Sequence, residues 1–173
     1  YNCSFCASKK LVSSYSRRDP LAVLEEIDFY RREKNVRHFT FYDDALLHRP
    51  EKYVKPLLRE IIKRIWEINL HTPNGLQIRY IDKEMAKLFF ESGVKTIRLS
   101  FETSNKERQK DMDSKVSNND LEQALANLEA AGYDRKEIAV YIMMGLPEQD
   151  ESEFKDSVNY VYNLGAKNSI SSF

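Results

Sequence analysis

The chain has 173 residues, of which 42% are hydrophobic, and its 27 basic residues balance its 27 acidic ones. The length lies within the usual range of about 50–250 residues for one domain, and the zero net charge gives no electrostatic reason to expect nucleic acid or an anionic membrane as a partner. No apolar run approaches the roughly 18 residues that a membrane span needs, and two cysteines three positions apart form no disulfide framework. We therefore expect one soluble, cytoplasmic domain over residues 1–173.

The first half of the chain alternates helical and strand patterns. Asp19-Pro20 is a good helix start, and apolar residues at helical spacing follow it until a predicted strand at 38–42. A second helical pattern has Pro56 either in its first turn or between a short turn and the helix proper. It leads to a second predicted strand at 69–72.

The second half repeats the same order of a capped helix, a glycine and a strand. Gly93, Gly132 and Gly165 each follow a helical stripe, and glycine supplies the left-handed cap without a steric penalty. Capping residues are expected at Asp82, at Asn119 with Glu122, and at Asp150 with Glu153. The three predicted strands are 96–101, 138–143 and 169–173. The polar, aperiodic segment 105–118 is predicted to be an exposed loop.

Alternation of this kind predicts a parallel sheet covered by helices. A further strand is expected before Tyr1, which would make about six βα units. Periodicity alone leaves two architectures open, a partial barrel and an open doubly wound sheet.

Polar residues gather at the predicted ends of the strands, where active sites of parallel α/β folds lie. The set comprises Asp43-Asp44, Pro73-Asn74-Gly75, Ser100, Glu102 and Gly145. Some of these have simpler explanations. Asp43-Asp44 could cap the next helix, Asn74-Gly75 is first of all a turn signal, and Gly145 begins a tight connection. Glu102 has fewer structural explanations, because no helix pattern begins within several residues of it.

The remaining polar residues of the strands have open roles. Arg98 is either an inward polar residue or a helix-facing ion-pair partner. His38, His48 and His71 have no mutual metal-ligand spacing, and we expect them to be structural or exposed.

The two cysteines, Cys3 and Cys6, form a C-x-x-C motif with Phe5 between them. Alone, this motif is typical of half a zinc site, of a redox pair or of two incidental thiols. A structural zinc site needs two further ligands close before Tyr1. A dithiol oxidoreductase is disfavoured because the segment after Cys6 lacks a helical pattern.

Together these motifs resemble the radical S-adenosylmethionine (radical SAM) superfamily, whose signature is C-x-x-x-C-x-aromatic-C. Cys3, Phe5 and Cys6 match its second half, so the chain would begin inside the motif. Asp43-Asp44 resembles the second-strand motif of the cobalamin (B12)-binding-type branch. Ser100 with Glu102 looks like the fourth-strand Ser/Glu motif of the superfamily.

The resemblance implies a fold and a reaction. The fold is an α/β partial (β/α)6 TIM-like barrel with parallel strands, its first strand missing from this chain. Cys3, Cys6 and an upstream cysteine would hold a [4Fe–4S] cluster, because thiolates bind iron–sulfur clusters. The reduced cluster would cleave S-adenosyl-L-methionine (SAM) to a 5′-deoxyadenosyl radical, which acts on an unknown substrate.

The resemblance also implies how SAM is held. Asp43 or Asp44 would accept hydrogen bonds from the SAM ammonium, and Glu102, with Ser100 in the same motif, would meet a ribose hydroxyl or the methionyl end.

Phe5 would lie near the adenine, and the backbone at Gly145 could approach it because glycine lacks a side chain. The expected partners are SAM, a substrate and a reductant such as flavodoxin or ferredoxin. Cobalamin is expected in the full-length protein only. No residue is identified as a catalytic acid or base. The alternative function is an α/β scaffold with structural zinc or a dithiol pair at Cys3 and Cys6.

Overall fold

The computed structural model describes residues 16–112 and 116–173, and in these ranges α-helices alternate with parallel β-strands. The helices are α1 (Pro20–Glu33), α2 (Val54–Lys63), α3 (Lys83–Glu91), α4 (Lys106–Asp111), α5 (Asn118–Ala131) and α6 (Glu151–Asn163). The strands are β1 (His38–Thr40), β2 (Asn69–His71), β3 (Val94–Thr96), β4 (Arg98–Glu102), β5 (Ala139–Met144) and β6 (Lys167–Ser172). The predicted cysteine loop lies outside the described residues.

The strands pair in the parallel direction, as the sequence predicts, in the orders β1-β2-β3 and β4-β5-β6. Only Ile97 separates β3 from β4, and a parallel bridge joins Leu76, in the segment after β2, to Leu99 of β4. The single strand predicted at 96–101 is therefore wrong in detail. Its segment is two strands, because pairing passes from β2 to β5 at Ile97.

Aspartate caps start three helices where the sequence predicts them. The Asp19 carboxylate accepts a hydrogen bond from Leu21 N, and Pro20 occupies the first turn of α1. Asp82 and Asp150 cap α3 and α6 in the same way. Such caps satisfy backbone N–H groups that have no partner inside the helix, each contributing about 1 kcal/mol.

The capping residues predicted for α5 are wrong. Ser117, not Asn119, is the N-cap, and its partner is Asp120 rather than Glu122. Asp120 N lies 3.2 Å from Ser117 Oγ, while Ser117 N donates to the Asp120 carboxylate at 2.7 Å. The motif begins two residues earlier than expected because serine and aspartate satisfy the same two backbone donors.

The predicted loop at 105–118 also contains a helix, α4. Asn105 caps it by accepting hydrogen bonds from Glu107 N and Arg108 N. The inward residue of α4 is Gln109, which donates from Nε2 to Thr103 O at 2.8 Å. Hydrophobic periodicity does not reveal this helix because a polar side chain occupies its buried position.

Successive side chains of a strand point to opposite faces of the sheet, and the two faces differ here. Leu70, Leu99, Val140 and Ile142 are fully buried in the hydrophobic core that the helices cover. Burying each such side chain stabilises the fold by about 1.5–3 kcal/mol. The opposite surface, which we call the polar face, is formed by His38, Asn69, His71, Thr96, Arg98, Ser100 and Tyr141.

An ion-pair network joins α2 to α3 beneath the sheets. The Lys55 side chain is 3% exposed, and its Nζ lies 2.5 Å from Glu51, 2.6 Å from Glu84 and 3.5 Å from Asp82. Burial lowers the pKa of Lys55, but the hydrogen bonds to Glu51 and Glu84 raise it above its ordinary value overall.

No helix in the described ranges is both long and apolar enough to cross a membrane.

Lys55→Ala is expected to lower the free energy of unfolding by about 1–2 kcal/mol, because it removes a buried cation that several half-exposed carboxylates share. Lys63→Ala is the matched control, since Lys63 is an exposed residue of the same helix with one surface ion pair; it should change stability by less than about 0.5 kcal/mol. Urea unfolding measures both. Equal losses in the two variants would contradict a structural role for the network.

Candidate functional site

A groove of about 390 Å³ lies at the carboxyl ends of the strands. Asp44, Ser100 and Glu102 line it, so three of the predicted site residues, from distant parts of the chain, come together. The other lining residues are Pro73, Asn74, Gly75, Tyr141, Met143 and Ser171. Asp43 and Gly145 flank these residues in sequence but do not line the groove. Cys3, Phe5 and Cys6 lie outside the described residues.

A larger cavity, of about 570 Å³, is lined by residues of α4 and α5 such as Lys106 and Asn119. None of the predicted site residues lines it. We place the candidate site in the smaller groove because the strand ends, where parallel α/β folds hold their ligands, meet there.

Glu102 occupies an unusual backbone conformation at the end of β4. Its φ is +77°, and Thr103 N donates to Phe101 O at 3.0 Å, which makes a tight three-residue turn centred on Glu102. The pairing of β4 with β5 also shifts register between Ser100 and Glu102. A positive φ costs a non-glycine residue about 1–3 kcal/mol and is found most often at functional sites. The turn places Glu102, a residue that is only 8% exposed, at the wall of the groove.

The Asp43-Asp44 segment is a turn held by two amide side chains. Asn74 Nδ2 donates to Asp44 Oδ1 and to Tyr42 O, both at 3.1 Å. Buried Gln77 donates to Asp44 O at 3.0 Å and accepts from Leu47 N at 3.1 Å. The suggestion that these aspartates cap the next helix is wrong, because the N-cap of α2 is Tyr53.

Asp43 is half-buried beside Asp44, and its environment makes the ionised form costly. Burial raises the pKa of Asp43; the positive charge of Arg17 opposes this rise, and the negative charge of Asp44 adds to it. A bound cation would offset the cost of burying the charge.

Gly75 allows close packing between strands as well as a turn. A Cβ atom at this position would collide with Ser100 Oγ and would lie 3.3 Å from Tyr141 Cδ2. The missing side chain therefore lets the segment after β2 lie directly against β4 and β5, which keeps the groove narrow. The contact is invisible in the sequence, where Asn74-Gly75 resembles an ordinary turn.

Gly145 ends β5 with a φ of +86°, a conformation that favours glycine. A Cβ there would meet nothing within 4 Å, so backbone conformation rather than crowding requires the glycine. Gln149 holds the turn by accepting from Gly145 N at 2.8 Å and donating to Met143 O at 3.0 Å.

An ion pair supports both loops at the strand ends. Arg108 makes two contacts with Glu153, at 2.6 and 2.9 Å, and donates from Nη1 to Pro147 O at 2.9 Å. Thr103, directly after Glu102, donates to the same Glu153 carboxylate at 3.0 Å. The loop after β4 and the turn after β5 are thus fixed to each other. Sequence patterns gave no sign of these partners, because 45 residues separate Arg108 from Glu153.

Two histidines meet on the polar face although they are far apart in sequence. His38 Nδ1 lies 3.0 Å from His71 Nε2, and His71 Nδ1 lies 2.8 Å from Thr96 Oγ1. Asn69 Nδ2 approaches the remaining nitrogen of His38 at 3.4 Å. Each ring nitrogen therefore has a partner, as expected of structural histidines. In the described ranges, no three His, Cys, Asp or Glu side chains form a metal-binding group.

Arg98 lies on the polar face and, among the described residues, makes no ion pair with a helix. Its Nη1 donates to Tyr141 Oη at 2.9 Å, and Tyr141 Oη donates to Pro73 O at 3.0 Å. Of the two possibilities left open by the sequence, Arg98 is the inward polar residue.

The parallel sheets, covered by helices on one face and gathering carboxylates at the strand ends, define an α/β protein of the barrel type with a polar groove at its carboxyl edge. The chain matches the family model of the Radical SAM superfamily over residues 1–161 and belongs to that superfamily. The predicted family is confirmed, and membership places the chain among the radical SAM enzymes.

One curated relative is the anaerobic magnesium-protoporphyrin IX monomethyl ester cyclase of Rubrivivax gelatinosus. It is 28% identical over 108 residues, which cover 60% of this chain and 19% of that protein. The chain thus corresponds to about a fifth of the relative's length.

Solved structures of the same superfamily share the fold. The methyltransferase TsrM from Kitasatospora setae, with cobalamin and a [4Fe–4S] cluster bound, matches with a TM-score of 0.84 and 18% identity over 99% of this chain and 32% of its own. The same enzyme with tryptophan substrate and a SAM analogue gives 0.83, with 18% identity, 99% of this chain and 33% of its own. HemN, the coproporphyrinogen III oxidase of Escherichia coli, gives 0.61, with 15% identity, 99% of this chain and 41% of its own. The predicted partial barrel, and the likeness to the cobalamin-binding-type branch, are confirmed at the level of the fold.

Replacing Glu102 tests the strain at the end of β4. Glu102→Gly is expected to be more stable than Glu102→Ala by about 1 kcal/mol, because only glycine adopts a φ of +77° without cost. Both variants lose the same carboxylate, so their difference isolates the backbone. Chemical denaturation of the pair measures it.

Ser100, two positions earlier on the same strand, supplies the control. At Ser100, which has no positive φ, the alanine variant should be the more stable of the two by about 0.5–1 kcal/mol. If alanine were also the more stable residue at position 102, the strained turn would be refuted.

Proposed function

We propose that this chain is the core of an enzyme in which a [4Fe–4S] cluster, when bound and reduced, supplies the electron that cleaves SAM to methionine and a 5′-deoxyadenosyl radical acting on an unidentified substrate. The observation that carries the proposal is the convergence of Asp44, Ser100 and Glu102 in one groove at the carboxyl ends of the strands. Family membership adds the expected chemistry of that groove.

Cys3 and Cys6 would hold the cluster together with a third thiolate. They are the only cysteines of the chain, and thiolate is the ligand type that iron–sulfur clusters use. The described ranges offer no competing group of metal ligands. The donor chemistry of the chain therefore fits a cluster at the cysteine motif.

The groove would hold the polar groups of SAM. Its volume of about 390 Å³ falls within the range of about 300–1,000 Å³ typical of small-molecule sites. The Asp44 carboxylate is fixed by Asn74 through one oxygen and would accept a charge-assisted hydrogen bond from the SAM ammonium. Half-buried Asp43 would add negative charge beside it.

Ser100 and Glu102 would bind SAM at the wall of the groove opposite Asp44. Carboxylates accept hydrogen bonds from ribose hydroxyls in other nucleotide sites, and the turn at Glu102 fixes the backbone from which its side chain extends. Phe5 and the backbone of Gly145 would contact the adenine. Because Gly145 N is engaged by Gln149, that contact would use the carbonyl oxygen or the Cα of Gly145.

The whole protein would require further partners. A one-electron carrier such as flavodoxin or ferredoxin, in the cytoplasm, would reduce the cluster. The TsrM structure contains cobalamin, and cobalamin in this protein would bind only outside the present residues, in the full-length protein.

Anaerobic reconstitution tests the proposal directly. The full-length protein should bind iron and sulfide and give a reduced-cluster electron paramagnetic resonance signal that changes when SAM is added. Cys6→Ser should abolish the signal. Zinc binding without iron would instead support the structural zinc site, and a reversible disulfide without metal would support the dithiol pair.

Carboxylate variants test the groove. Asp44→Asn and Glu102→Gln should each weaken SAM binding about tenfold or more, because each removes a charge-assisted hydrogen bond. Glu25→Gln, on the exposed surface of α1, is the control and should leave the affinity unchanged. Equilibrium dialysis with the cluster-loaded protein gives the three dissociation constants. Unchanged affinity in both groove variants would place SAM elsewhere.

A further inference from the structure

Arg98 is a permanently charged residue on the polar face below the groove. It stands two positions before Ser100 on β4, so both side chains share that face. The side chain is half-buried and therefore separated in part from the water that would otherwise solvate its charge.

Two contacts fix the orientation of the guanidinium. Nη1 donates to Tyr141 Oη at 2.9 Å, and the guanidinium carbon lies 6.0 Å from the centre of the Tyr141 ring. Tyr141 is itself held by its hydrogen bond to Pro73 O. Tyr141 also lines the groove, so the orientation of Arg98 is coupled to the groove wall.

The charge of Arg98 has no acidic partner inside the part of the chain that the structure describes. Its one side-chain hydrogen bond there is to a neutral phenol, and a guanidinium has five N–H donors. The two neighbouring histidines differ, because their ring nitrogens are all engaged within the His38–His71–Thr96 chain. Of the seven residues that define the polar face, all on β1–β5, Arg98 alone combines a fixed charge with spare donors.

We propose that Arg98, oriented by Tyr141, binds a carboxylate of the enzyme's substrate. A guanidinium pairs with a carboxylate through two parallel hydrogen bonds. A single positive charge, with Asp44 and Glu102 in the groove above, matches a monoanion better than a phosphate dianion. The inference rests on the proposed function and adds the substrate class, a carboxylic acid.

The depth of Arg98 separates this carboxylate from the groups proposed for SAM. Four strand residues at about 3.3 Å each place Glu102 roughly 13 Å along β4 from Arg98. A molecule held at Arg98 would therefore lie deeper on the polar face than a ribose held at Glu102. Besides the substrate, SAM carries a carboxylate at its methionyl end. The experiment distinguishes binding of the substrate carboxylate from binding of the SAM carboxylate.

The test uses propionate as the probe and propionamide, its neutral counterpart, as the control. Nuclear magnetic resonance of the full chain should show propionate shifting the Arg98 Nε–H signal and the Tyr141 ring signals, with no shift from propionamide. Arg98→Gln should weaken propionate binding about tenfold or more, since a charged hydrogen bond is lost. Arg59→Gln, on the exposed surface of α2, should leave it unchanged.

Tyr141→Phe separates charge from orientation. It keeps the guanidinium but removes its fixed partner, so propionate binding should weaken by less than in Arg98→Gln. Binding that is unaffected by Arg98→Gln, or equal shifts with propionamide, would overturn the proposal.

A second measurement identifies the source of the carboxylate. SAM affinity of the cluster-loaded protein should be the same with Arg98 and with Arg98→Gln, and SAM should not displace propionate. Loss of SAM binding together with displacement would assign Arg98 to the SAM carboxylate and overturn the substrate assignment. The propionate titration needs neither cluster nor SAM, so failed reconstitution would contradict the proposed function and leave this result readable.

Discussion

The alternation of side chains along parallel strands is the constraint on which the rest of this structure depends. Leu70 of β2, Leu99 and Phe101 of β4, and Val140 and Ile142 of β5 occupy alternate strand positions and are buried under the helices. The alternate positions face the other way, and most of them are polar, among them His71, Ser100 and Tyr141. Since buried polar groups require partners, they bond to one another across strands. The same periodicity thus builds the core and assembles the polar face.

The strand ends add what alternation cannot supply. Glu102 departs from strand geometry with a φ of +77°. Contacts made by the residues around it offset the conformational free energy that this backbone costs. Thr103, immediately after it, joins the Arg108–Glu153 pair. A strained residue held by a satisfied network is typical of a site organised for binding rather than for stability.

The sequence predicts the parallel α/β order, three of the helix caps and the groove residues Asp44, Ser100 and Glu102, because each depends on local spacing. It misses α4, whose buried residue is Gln109, since periodicity detects only apolar stripes. It also misses the His38–His71 contact and the hydrogen bond from Gln77 to Asp44, each of which joins residues more than thirty positions apart. Such contacts arise from strand pairing, and no local pattern encodes which strands become neighbours.

The hydrogen bonds from Asn74 and Gln77 to Asp44 affect how fast a ligand binds and dissociates. Because these amides fix the Asp44 turn through contacts within the chain itself, docking there requires no ordering of that loop. The entropic penalty was met when the chain folded, which leaves more of the contact energy for affinity. Binding at this wall of the groove should then resemble rigid-body association. Differences in affinity among ligands should lie mainly in their dissociation rates.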